Sequence, residues 1–259
     1  MTSGCVLLML CLSGNGALPP EAVHRPPLIL EYSERPPYVW TDGRGAAQGA
    51  ALSAVRDALD RAGIEYRLLP VPANRQIVDI ERSGPMVCGI ARYKTSVGGH
   101  LAKFSRPLIE ERPYVVFSRK SSRLSEQVSL PELLDAPSMR VVTRSQRSFG
   151  DRLDSLLARA RATFLGITGN AVNAARMVLS GRGDVSLMTL DEVDFVKSTL
   201  ALSEDAFSIS RIAGVEKGEN SYLMCSPSSD DSLLQAIDAM LPLTTQRVAE
   251  NGLYTVTSR

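Results

Sequence analysis

Cys88-Gly-Ile-Ala-Arg-Tyr-Lys-Thr-Ser-Val-Gly-Gly-His-Leu-Ala-Lys-Phe-Ser-Arg-Pro107 is the stretch whose reading decides the fold of this 259-residue chain. Its first residues continue an apolar run from Met86, so residues 86–91 read as a buried strand. A polar turn follows, in which Gly98-Gly99 has free access to positive φ. Upstream, residues 28–32 are a first strand, and Leu52, Val55, Leu59 and Ala62 recur at steps of three and four to give one apolar helix face that Gly63 ends. Residues 64–71 read as the next strand, and a helix carrying Ile77 and Ile80 follows Pro72.

Downstream, residues 114–117 form a strand leaving this unit, and residues 121–137 are polar and turn-rich. A second βαβ pattern then begins, with strands at 140–142, 164–167 and 184–188 and helices at 151–162 and 170–179. Strands at 207–212 and 222–225 lead back, and Leu233, Leu234, Ile237 and Met240 line a last helix stopped near Pro242. Two similar α/β units, with a final strand and helix returning to the first, predict two lobes joined by two crossings. Each lobe is expected to be a mixed sheet flanked by helices, with residues 27–115 plus 220–259 in the first and 120–212 in the second. Such a layout places a ligand cleft between the lobes and permits hinge closure.

Apolar residues make up 44% and charged residues 22%, ordinary for a globular chain, and the net charge of +1 gives no reason to expect a nucleic-acid or membrane-surface partner. His24 and His100 are isolated and no Cys-x-x-Cys occurs, so no metal site and no cofactor is expected. No Ser-His-Asp arrangement or Gly-x-Gly-x-x-Gly is present, and no catalytic residue is assigned. The apolar run from Cys5 to Leu12, followed by Ser13-Gly14-Asn15-Gly16-Ala17, has the shape of a secretory signal covering residues 1–17 and is too short to span a bilayer. Neither Cys5 nor Cys11 sits in a lipobox, so lipidation is not expected. Cys88 and Cys225 each lie within an apparent strand and are read as buried free thiols, although export would permit a disulfide.

The opening segment resembles the first lobe of bacterial extracellular solute-binding proteins, the amino-acid-type group (family 3) of the type II periplasmic binding fold. There a strand ends in a Thr-x-x-Arg turn, and the chain then leads into Phe-Ser-x-Pro. Thr95 and Phe104-Ser105-Arg106-Pro107 keep that frame, but the arginine that grips a ligand carboxylate in the family falls on Gly98. After the first strand, Pro36-Pro37-Tyr38, Asp42-Gly43 and Gly49 match the family's corner, loop and helix start. The resemblance implies cleft positions for Tyr38 and Trp40, which the residues alone also allow to pack on their own lobe. Arg75, in Pro72-Ala73-Asn74-Arg75, matches a subgroup motif and is either an anion clamp or a solvated, ion-paired helix residue. Arg92, Tyr93, Lys94 and Thr95 fall where relatives bind ligand through backbone and hydroxyl groups.

In the second lobe, Thr143 to Ser148 matches the loop before a helix whose N-terminus faces the cleft, so Arg144 and Ser145 are candidate ligand residues and Ser145 or Ser148 a candidate cap. Gly181-Arg182-Gly183-Asp184 matches a structural Gly-x-x-Asp. The aspartate that holds a ligand ammonium in the family is Thr189 here. Asp191 and Glu192 read as a helix start with favourable dipole placement. With both zwitterion anchors replaced, the resemblance implies an exported, periplasmic, non-enzymatic and monomeric binding protein for a small polar or anionic ligand rather than an ordinary α-amino acid. An ABC-type permease is its implied partner. The alternatives are a cyclohexadienyl-dehydratase-like enzyme, with Glu31, Lys94 or Asp191 as its acid or base, and a stand-alone sensing module.

Overall fold

A computed structural model describes residues 26–82, 84–95, 102–144, 147–242, 247–248 and 254–255. The expected signal, Gly98, His100 and Ser145 lie outside the described residues. In chain order the first part holds β1 (Leu28–Tyr32), the pair β2 (Trp40–Thr41) and β3 (Ala47–Gln48), α1 (Ala50–Ala62), β4 (Tyr66–Pro70), α2 (Ala73–Arg82), β5 (Val87–Tyr93), β6 (Lys103–Phe104) and β7 (Ile109–Glu110). The second part holds β8 (Tyr114–Arg119), β9 (Gln127–Val128), α3 (Leu130–Leu134), β10 (Arg140–Arg144), α4 (Asp151–Leu157), β11 (Thr163–Ile167), α5 (Ala171–Leu179), β12 (Val185–Thr189), α6 (Leu190–Leu200) and β13 (Phe207–Ile212). The chain returns through β14 (Asn220–Cys225) and α7 (Asp231–Met240), ending with the pair β15 (Arg247–Val248) and β16 (Tyr254–Thr255).

Two six-stranded sheets result. The first runs β4-β1-β5-β14-β6 with β7 added beside β14, and the second runs β11-β10-β12-β8-β13-β9. Each is built on a parallel trio whose first strand is central, extended by an antiparallel strand: β14 against β5 in one, β8 against β12 in the other. This is the two-lobed, mixed-sheet architecture expected from the sequence. Lobe 1 packs α1 and α7 over one face through Leu52, Val55, Leu59, Leu233 and Ile237 against Leu28, Leu30, Cys88 and Ile90. Lobe 2 has two cores, one under α5 and α6 and one under α3 and α4. Burying each of these aliphatic side chains contributes roughly 1.5–3 kcal/mol.

The chain passes between lobes at residues 111–113 and 213–219. The two crossings lie side by side, with the Glu111 N–H donating to the Glu219 carbonyl at 3.0 Å. Gly218 is required there, because a Cβ at that position would sit 1.5 Å from the Glu111 carbonyl oxygen.

Three expectations are revised. Cys88 and Cys225 are not free thiols but a disulfide: antiparallel β5 and β14 set them directly opposite, with Cα atoms 4.0 Å apart. Their separation of 137 residues concealed the pairing. The helix expected over 151–162 ends at Leu157, because the N–H groups of Arg161 and Ala162 turn away to the Leu134 carbonyl at the end of α3. The stretch 121–137 contains β9 and α3, whose Leu130 and Leu134 are buried.

Candidate functional site

Between the lobes lies a cleft of about 1010 Å³. Lobe 1 contributes the loop after β1, the start of α2 and the end of β5, and lobe 2 contributes the end of β10 and the loop before α5. These are mainly the carboxyl ends of parallel strands, where open α/β sheets leave crevices.

The base of the cleft is a buried ionic and hydroxyl network. Arg35, in the loop after β1, donates from Nη1 to Glu111 Oε1 at 2.6 Å and from Nη2 both to Glu111 Oε2 and to the Tyr93 hydroxyl. Its guanidinium lies 4.4 Å from the Tyr38 ring centre and 4.9 Å from that of Tyr93, so both ring faces add to its stabilisation. Tyr93 in turn donates to Glu111 and lies 2.9 Å from the Tyr114 hydroxyl, which accepts from Arg147 Nη2 at 2.8 Å. Burial pushes the Glu111 carboxyl up while Arg35 pulls it down.

Glu192 closes the network from lobe 2. Its Oε1 accepts from Arg144 Nη2 and Arg147 Nη1, each at 2.8 Å, and Arg35 Nε approaches it at 3.8 Å. Its Oε2 accepts from the Thr189 N–H at 3.1 Å, while Thr189 Oγ1 accepts from the Glu192 N–H at 3.2 Å. This is a capping box at the start of α6, and it explains why a threonine stands where the family places an aspartate. Asp191, beside it, accepts from the Tyr38 hydroxyl at 2.8 Å and from Arg112 Nε at 2.6 Å. The helix-start reading of Asp191 and Glu192 therefore agrees with the geometry, with buried arginine pairing added to it.

Of the sequence candidates, Tyr93, Thr95 and Arg144 line the cleft. Tyr38 does not. It is fully buried at the lobe interface, its hydroxyl held by Asp191 and Thr189. Thr189 is equally buried and serves as helix cap. Trp40 packs edge-on against Phe195 of α6, with ring centres 5.3 Å apart, and so bridges the lobes instead of walling the cleft. Arg75 points outward, 68% exposed, and pairs with Asp79 one helical turn on. Lys94 is exposed and sits 5.7 Å from the Phe104 ring centre. Glu31 and Asp191, offered as acids or bases for an enzyme, are buried off the cleft wall.

Sequence reasoning missed Arg35, Glu111, Tyr114 and Arg147. Each is an ordinary charged or aromatic residue whose partners lie far along the chain, and no local spacing marks it. Among the described residues no cluster of His, Cys, Asp and Glu suits a metal ion. No helix among them is long and apolar enough to cross a membrane.

Neither a protein-family model nor a curated protein sequence matches the chain. Solved structures do. An ancestral arginine-binding protein bound to arginine superposes with a TM-score of 0.69 at 17% identity, over 84% of this chain and 91% of that one. The ancestral amino-acid-binding protein AncCDT-1, a precursor of cyclohexadienyl dehydratase, gives 0.66 at 16% identity, over 83% and 87%. The substrate-binding protein of an amino acid ABC transporter gives 0.64 at 14% identity, over 83% and 91%. With its two sheets, paired crossings and interlobe cleft, the chain has the two-lobed type II periplasmic binding fold of the amino-acid-type solute-binding proteins.

Proposed function

We propose that this chain is a solute-binding protein that captures a small polar or anionic ligand between its lobes; the expected first lobe of 27–115 with 220–259 gives up residues 114–115, which begin β8 of the second sheet that 120–212 otherwise supplies. The observation that carries this reading is the cleft itself: its walls come from both lobes and its base is arginine-rich. Lobes between which the chain crosses at two short segments can close about such a cleft by hinge motion. The neighbour that serves an amino acid ABC transporter supports delivery to a membrane permease, and on this reading the protein works in the periplasm as a monomer. A thermal-shift screen of organic acids, amino acids and sugars tests it. A true ligand at about 100 times its dissociation constant adds about 2.7 kcal/mol, or roughly 5–10 °C in a protein of this size. No shift from any small polar solute would remove the reading.

A second reading, a dehydratase on the same scaffold, rests on the similarity to AncCDT-1. Direct assay for turnover of prephenate-like cyclic acids decides it.

A further inference from the structure

Period-two alternation along β5 would turn Arg92 toward the lobe-1 core, on the side of Cys88 and Ile90. The structure does otherwise. Ala91 adopts φ 57°, and the pairing of β14 with β5 slips between Tyr222, opposite Arg92, and Met224, opposite Gly89. Leu223 thus faces both Ile90 and Ala91, which is a β-bulge. A one-residue slip moves every following side chain to the other face. Arg92 consequently folds back over Gly89, its Cγ 3.4 Å from where a Cβ of that glycine would lie, and it lines the cleft. A non-glycine residue in left-handed backbone is strained, and the strain is retained at the point that exposes this arginine.

Arg92 has no counter-ion among the described residues. Among the described residues no side chain pairs or hydrogen-bonds with its guanidinium, whereas Arg35, Arg144 and Arg147 are all engaged by Glu111 and Glu192. Burial, with the charges of Arg35 and Arg147, lowers the Arg92 guanidinium to about 10, so it is still charged at neutral pH. Glu111 and Glu192 thus hold three of the four arginines, and Arg92 is left on the cleft wall; the wall's Glu34, Glu81 and Asp154 do not pair with it. A partly desolvated charge of this kind is relieved by an anion with matching bidentate geometry.

Beside Arg92 an ammonium group is disfavoured: the charges that act there are those of Arg35 and Arg147, and Glu34 and Glu81 of the cleft wall are not among them. Both oxygens of Glu111 and of Glu192 are taken, and Asp154 accepts from Ser148 Oγ and the Phe149 N–H. The cleft that Arg92 lines also has apolar wall, from Ile77, Ile90, Phe104, Ile167 and Met224. The geometry points to Arg92 as the anchor of an anionic head group, and to a ligand that carries a carboxylate on an apolar body and no ammonium. This deepens the solute-binding reading and rests on it.

Matched pairs test it by titration calorimetry: 3-phenylpropanoate against phenylalanine, 4-methyl-2-oxopentanoate against leucine, succinate against aspartate. The acid of at least one pair is expected to bind at least 30-fold more tightly than its amino partner. Arg92→Gln is expected to lower that binding at least 30-fold while the ligand-free variant melts no lower than the parent. Arg92→Lys, which keeps the charge and loses the fork, is expected to fall between them and covers the case of a poorly folded Arg92→Gln. Preference for the amino acid member, or undiminished acid binding by both variants, overturns the anchor and leaves the solute-binding reading standing. Binding of no member of any pair, with no solute co-purifying, overturns both.

Discussion

The Tyr38 hydroxyl of lobe 1 lies 2.8 Å from Thr189 Oγ1 and 2.8 Å from Asp191 Oδ2, both at the start of α6 in lobe 2. The phenol has one proton and donates it to Asp191 Oδ2, so in the other bond the Thr189 hydroxyl donates to the Tyr38 oxygen. Two lobes are thereby joined by one phenol, reinforced by the edge-on contact of Trp40 with Phe195.

Tyr38→Phe removes that link and leaves its buried partners short of one bond. Stability is expected to fall by about 1–3 kcal/mol, and small-angle scattering of the ligand-free variant should show a larger radius of gyration than the parent. An unchanged radius with unchanged stability would mean that the hydroxyl does not hold the lobes together.

Glu192→Gln tests the base of the cleft. The substitution keeps the shape and removes the charge shared by Arg144 and Arg147. Leaving buried charges without their partner costs about 3–5 kcal/mol, which urea denaturation will read as a lower midpoint. A loss under about 1 kcal/mol, typical of an exposed pair, would show that water reaches this carboxylate freely.

The disulfide closes a loop of 137 residues that contains the whole of the second lobe. In the chain-entropy account a loop of that length stabilises the protein by about 5 kcal/mol. Cys88→Ala with Cys225→Ala is expected to lower the denaturant midpoint strongly, and reductant to reproduce the effect on the parent but not on the variant.

Glu31 gives a pH dependence. It is buried in β1, its Oε2 has no hydrogen-bond partner, and burial together with Asp79 raises its carboxyl from 4.5 to about 7, against the pull of Arg75. The folded protein therefore binds a proton more tightly than the unfolded chain. Stability falls as pH rises from about 4.5 to about 7. Glu31→Gln is expected to melt higher than the parent at pH 8 and much like it at pH 4. Equal melting differences at the two pH values would contradict this.

The strands and helices were legible because their apolar periodicity is local: α1 shows it through Leu52, Val55 and Leu59, all buried. The cleft was legible only in part. Tyr93 and Arg144 were found from their place in a familiar frame, but Arg35 and Glu111 stand 76 residues apart and meet only when the first crossing folds beside β1. Arg92 stands in that frame too, but the turn of its side chain into the cleft was not legible, because nothing in Ile90-Ala91-Arg92 announces a bulge and an alanine gives no sign of positive φ. Arg75 fits a motif, yet its i,i+4 partner Asp79 turns it outward.

The most direct test of the account is native mass spectrometry of the protein purified without denaturation from the compartment where it resides. The account predicts a one-to-one complex whose released ligand is detected in negative-ion mode as a small acid without an amino group. A protein found only at its bare mass, which also gains no adduct when incubated with the acids of the three matched pairs, would contradict it.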